Sequence, residues 1–212
     1  MKLYISSYKL GNNTEELEKW IEMNGNKIAL IPNSRDVFEE SERKTAGINK
    51  DVDSLRSLGF DVTVVSLKDY FGNSEQLKKD LEQYHAFFAI GGNSFALRKA
   101  MQLSGFDMFL KEIYEKKNYL YGGYSAGICV LAPDLQAIKL VDEPVNPYNE
   151  DEVLYKGVGI LNYLPVPHYK SNHPESEMIN DVVEYCKKNN VRYKTLSDGD
   201  VIIEEIQNEL ER

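Results

Sequence analysis

Short apolar runs alternate with longer amphipathic stretches along the chain. Lys27-Ile28-Ala29-Leu30-Ile31 is a run of the kind a doubly buried strand needs, and Pro32-Asn33-Ser34 stops it. Ile48, Val52, Leu55 and Leu58 follow at helical spacing, and Gly59 ends that helix. Asp61 to Leu67 predicts a second strand, and Leu77 and Leu81 mark a polar helix. Ala86-Phe87-Phe88-Ala89-Ile90 is a third strand, broken by Gly91-Gly92-Asn93-Ser94, which opens a helix carrying Leu97 and Met101. A helix over Met108 to Lys117 and a fourth strand at Tyr119-Leu120-Tyr121 come next.

The later part is less regular. Asp142 to Lys156 holds two prolines, two asparagines and five acids without periodicity, the composition of a surface loop. A strand near Tyr163-Leu164-Pro165-Val166 leads to His168, and a helix follows from about Pro174 to Asn189. Arg192 to Thr195 and Val201 to Ile203 predict two final strands, joined through the turn Ser197-Asp198-Gly199-Asp200. Continuous apolar strands separated by helices predict an α/β fold, with a mainly parallel sheet covered on both faces. There is no internal repeat and no linker, so one domain over 1–212 is expected.

Composition narrows the function classes. The 25 Lys+Arg and 34 Asp+Glu leave a net charge of −9, with the two signs interspersed. That argues against nucleic acid or an anionic membrane as partner, since both need clustered positive charge. No apolar stretch approaches the roughly 20 residues of a membrane helix, and the run at Met1 to Lys9 is too short for a signal peptide. Two cysteines, Cys129 and Cys186, cannot build a disulfide framework or a zinc site. A cytoplasmic protein with free thiols and no cofactor is expected. Exposed members of the 14 tyrosines are candidates for a homodimer interface.

The sharpest chemical signal is Gly123-Tyr124-Ser125-Ala126-Gly127, between a strand and a helix. Small flanking residues permit the tight turn of a nucleophile elbow, which projects the Ser125 hydroxyl from the strand's carboxyl end. The Ala126 N–H would then serve as an oxyanion donor. The plain alternative is a glycine-bracketed turn with Ser125 as helix N-cap. Of the three histidines, His168 at a strand end is the favoured general base and His173 the second choice, while His85 reads as structural. His168, His173 and Glu175 lack any recognised metal spacing, so no metal is expected. Gly92 suits a second oxyanion donor, because a glycine amide approaches substrate without a side chain in the way. Cys129, one helical turn after Ser125, is expected to face the core.

Gly91-Gly92-Asn93-Ser94-Phe95-Ala96-Leu97, Gly123-Tyr124-Ser125-Ala126-Gly127 and Pro167-His168-Tyr169, in that order, resemble the peptidase E (aspartyl dipeptidase) and cyanophycinase-like serine peptidases. The resemblance runs from about Lys27 to Ile203. It implies a flavodoxin-like three-layer sandwich of the class I glutamine amidotransferase type, with Ser125 as nucleophile, His168 as base and Gly92 and Ala126 as the oxyanion hole. For the third triad member an ungapped match lands on Leu140. Asp142 is the nearest acid, with Glu143 and Asp134 behind it and a Ser–His dyad as the alternative. Asn93 and Glu177 are the expected substrate-binding residues. Glu177 stands near the place where strict aspartyl dipeptidases carry an arginine, and it would repel an aspartyl side chain. The expectation is a peptidase for small peptides without strict Asp-X specificity. A small-molecule esterase and a non-catalytic binding protein are the alternatives.

Overall fold

A computed structural model describes residues 1–148 and 152–205. Six strands form the main sheet: β1 (Lys2–Ser6), β2 (Lys27–Ile31), β3 (Asp61–Val64), β4 (Ala86–Ala89), β5 (Leu120–Tyr124) and β8 (Val201–Glu205). Their order is β3-β2-β4-β5-β1-β8, and every pairing is parallel except β1 with β8. Two short strands, β6 (Leu164–Val166) and β7 (Tyr193–Thr195), pair in parallel beside it.

Alternation along each strand divides the core. Leu3, Ile5, Ala29, Ile31, Phe87 and Ala89 face one cluster. That cluster is closed by α3 (Ser74–Leu81), α4 (Ser94–Ser104) and α5 (Phe106–Ile113) through residues such as Leu77, Met101 and Leu110. Tyr4, Ile28, Leu30 and Phe88 face the other, closed by α1 (Glu15–Asn24) and α2 (Glu42–Ser57) through Leu17, Trp20, Val52 and Leu55. This is the α/β three-layer sandwich that the apolar runs predict. A third cluster packs α7 (Ser176–Lys188) against β6.

Several elements differ from the sequence reading. The hydrophobic pattern predicts neither β1 nor α1. β1 is nevertheless a central strand, because Leu3-Tyr4-Ile5 is buried on both faces between β5 and β8. β3 stops at Val64, and Leu67–Tyr70 turns into a short 3-10 helix with Leu67 buried. α5 begins at Phe106 and ends at Ile113, so it is earlier and shorter than expected. The loop predicted over 142–156 carries no helix or strand among its described residues, and 149–151 lie outside them.

The sheet reverses direction between β2 and β4: the chain moves outward from β2 to β3, then returns to the other side of β2. Open α/β sheets bind ligands outside the strands' carboxyl ends at such a point. The segments following β2, β4 and β5 converge there.

Candidate active site

β5 delivers Ser125. At φ 50° and ψ −117° this serine sits in a backbone region that L-residues avoid, directly before the short helix α6 (Ala126–Cys129). Close approach of the chain to β4 requires the glycine that follows, since a Cβ on Gly127 would stand 2.1 Å from the Ala89 carbonyl oxygen. Gly92, at φ 155°, rests against the short turn after β2, where a Cβ would meet the Ser34 carbonyl oxygen at 2.4 Å. Neither the Gly92 N–H nor the Ala126 N–H donates to another described residue. Both are therefore available to an incoming acceptor. The Ser125 hydroxyl likewise has no hydrogen-bond partner among the described residues.

Ser125, Gly92 and His168 line one cavity of about 670 Å³, a size suited to a small ligand. His168 follows β6 at φ 60°, with its N–H donated to Ser7 Oγ at 2.9 Å. Its Nδ1 lies 2.7 Å from Asp198 Oδ1. Asp198 is itself held, since its N–H donates to Ser171 Oγ at 2.7 Å and Ser7 Oγ approaches Oδ1 at 3.1 Å. The register explains the meeting. Val166 pairs with Thr195, so residues two and three positions beyond these two strand ends fall side by side. Burial lowers the His168 pKa, while the Asp198 hydrogen bond acts the other way and His173 adds to the lowering. A neutral ring hydrogen-bonded through Nδ1 keeps its Nε2 lone pair for a proton.

His173 stacks on His168 with centroids 3.7 Å apart and planes within 8°, and Tyr8 meets both rings edge-on. His168, His173 and Glu175 place ligand atoms within 4.8 Å of one another. The parallel rings fit one ion poorly, because an ion in the plane of one imidazole lies outside the plane of the other.

Asp142 is placed differently from the triad role expected of it. Its Oδ2 accepts the Ser94 N–H at 2.8 Å, at the start of α4, and burial pushes its pKa up to about 6. The histidine's carboxylate partner is Asp198, which the sequence reading treated as a turn residue. Glu143 is exposed at the cavity rim, Asp134 caps Gln136 at 2.6 Å, and Leu140 is exposed in a 3-10 turn. Asn93 lines the cavity, but its side chain is committed to fold. Oδ1 caps α4 through Phe95 and Ala96, and Nδ2 donates to the Glu143 carbonyl. Glu177 is exposed in the first turn of α7 and does not line the cavity; Glu175 does. His85 lies beside Asn118 and Tyr119, away from the cavity. Cys129 is buried, and burial raises its thiol pKa well above the usual range, as befits a core residue.

Ser125, in its strained turn, and a histidine held by a carboxylate thus line one cavity at the switch point of a mostly parallel α/β sheet. The family follows directly: residues 4–208 match the model of peptidase family S51, and the chain belongs to that family of serine peptidases. Among solved structures it is similar to a "putative peptidase E protein" from Listeria monocytogenes EGD-e. That match has a TM-score of 0.72 and 22% identity, and it covers 97% of this chain and 98% of that one. It is also similar to a peptidase from an acI-B1 Actinobacterium, with a TM-score of 0.66, 16% identity and coverage of 96% and 82%. No curated protein matches the chain. No helix among the described residues is long and apolar enough to cross a membrane.

Proposed function

We propose that this serine peptidase hydrolyses small peptides through a Ser125–His168–Asp198 acyl-enzyme mechanism. The observation that carries the proposal is the 2.7 Å contact between Asp198 and Nδ1 of His168, the histidine that lines the same cavity as Ser125. As substrate arrives, His168 Nε2 takes the Ser125 proton while Oγ bonds to the scissile carbonyl carbon. The Gly92 and Ala126 N–H groups receive the developing oxyanion. His168 then gives that proton to the leaving amine as the C–N bond breaks. It next draws a proton from the water that attacks the acyl-enzyme, and returns it to Ser125 as the acid departs. Asp198 holds the tautomer and supports the transient imidazolium.

The cavity size favours peptides of two or three residues. The acids of its lining, Asp142, Glu143 and Glu175, speak against an obligatory aspartyl residue beside them. Phe38, Val37 and Val145 offer apolar contact for a neutral side chain. The carboxylate against His168 speaks against the alternative of a non-catalytic binding protein.

A panel of free dipeptides and tripeptides tests the reading. Turnover of several neutral members, abolished by Ser125→Ala, is expected. Turnover that survives Ser125→Ala would contradict it.

A further inference from the structure

We propose that Lys9 and Arg35 form a receptor for a carboxylate of the substrate, a reading that rests on the peptidase function above. The two are the lysine and arginine of the cavity lining, and both are gathered on a single buried acid, Asp51, which is 4% exposed. Lys9 Nζ lies 2.8 Å from Asp51 Oδ1, and Arg35 Nη2 lies 2.8 Å from Oδ2. Tyr124, the residue before Ser125, donates to the same carboxylate at 3.0 Å and accepts from Lys9 and Arg35 at 3.1 Å.

Two cations share one anion, so the cluster carries one net positive charge beside the nucleophile. Donors are also left over. The Lys9 ammonium has three N–H groups and spends two, on Asp51 and Tyr124. Arg35 spends Nε on the Gly91 carbonyl and Nη2 on Asp51 and Tyr124, leaving Nη1 without a hydrogen bond to a described residue. That nitrogen packs against Gly47 of α2, where a Cβ would stand 2.7 Å from it, so Lys9 carries the donor left for a ligand. Lys9 is held at φ 52°, a conformation uncommon for a residue with a side chain. Burial alone would lower the Lys9 pKa; Tyr124 and Asp51 outweigh it, and the net direction is up, so the group stays a cation.

A substrate carboxylate fits this cluster because it completes the charge balance and accepts from the unused Lys9 N–H. The acids of the lining come from other segments, 142–143 and 175, and would repel the same group. The carboxylate could come from the peptide's free C-terminus or from an acidic side chain.

Calorimetric titration of the Ser125→Ala protein separates the sources without turnover. Dialanine against dialanine amide isolates the terminus, and Ala-Asp amide against Ala-Asn amide isolates the side chain. Charge-assisted hydrogen bonds predict that the carboxylate member of at least one pair binds roughly 10- to 100-fold tighter. Adding Lys9→Gln should shrink that ratio to about 2-fold, and Lys9→Arg should restore most of it. Lys9 is the residue to vary, because Arg35 also holds the Gly91 carbonyl. Equal affinities within both pairs, a preference that survives Lys9→Gln, or no binding by any peptide up to about 10 mM would overturn the proposal. Fluorophosphonate labelling of the unmutated protein runs beside it. An unlabelled protein that keeps the carboxylate preference overturns the peptidase reading alone; a labelled one without the preference overturns only the receptor.

Discussion

Asp198 does two things for His168: it orients the ring through Nδ1, and it offsets part of the burial that disfavours the imidazolium. Asp198→Asn keeps the side chain's shape and removes the charge. We expect kcat to fall by about 10²- to 10⁴-fold, with the fold retained by circular dichroism. The pH profile carries a second signature. His168 acts as base only when neutral, so kcat/KM rises with pH through its pKa, which burial places below the usual 6.5. Without Asp198 the limb should move to still lower pH, because the group that raised that pKa is gone. A limb that stays put, with kcat unchanged, would remove Asp198 from the mechanism.

At the scale of elements, the elbow joins β5 to α6 at a backbone cost. A non-glycine residue at φ 50° and ψ −117° stores about 1–3 kcal/mol. Ser125→Gly relieves that strain and Ser125→Ala does not, although glycine gives back part of the gain through a freer unfolded chain. Both variants should be inactive. Thermal unfolding should find the glycine form the more stable by about 1 kcal/mol; equal or reversed midpoints would mean that the turn is unstrained. The elbow was legible in the sequence, because Gly-x-Ser-x-Gly after an apolar strand has one natural geometry. So were β2, β4 and α4, whose apolar runs and punctuation are local facts. Asp198 was not legible in the same way, since Ser197-Asp198-Gly199-Asp200 has the composition of any turn. Only the parallel pairing of β6 with β7 brings it to His168. A search for acids just beyond the strand next to the histidine's own would have found it. β1 escaped for a related reason: Leu3-Tyr4-Ile5 is too short to announce itself, and it is central because β5 and β8 flank it.

For the molecule as a whole, the site and the stability of the fold are linked through Asp142. Its carboxyl is buried against the start of α4, and its pKa rises from 3.8 to about 6. The folded chain therefore holds this proton more tightly than the unfolded chain. Stability from this group is fully present below about pH 4 and is lost as pH rises through 6. Asp142→Asn preserves an acceptor for the Ser94 N–H and removes the buried charge. It should stabilise the protein by about 1–3 kcal/mol at pH 8 and by little at pH 3.5, as read by denaturant unfolding. The same variant should retain most of the turnover, unlike Asp198→Asn. A destabilised protein at pH 8 would show that the carboxylate is needed in charged form.

The central claim is an activated serine at the switch point of the sheet. Intact-mass analysis after fluorophosphonate treatment tests it most directly, with Ser125→Ala, His168→Ala and Asp198→Asn alongside. The account predicts one adduct on the unmutated protein, none on Ser125→Ala, and labelling slowed by about 100-fold or more on His168→Ala, with Asp198→Asn between. A well-folded protein that takes up no adduct, or one that still labels after Ser125→Ala, would contradict it.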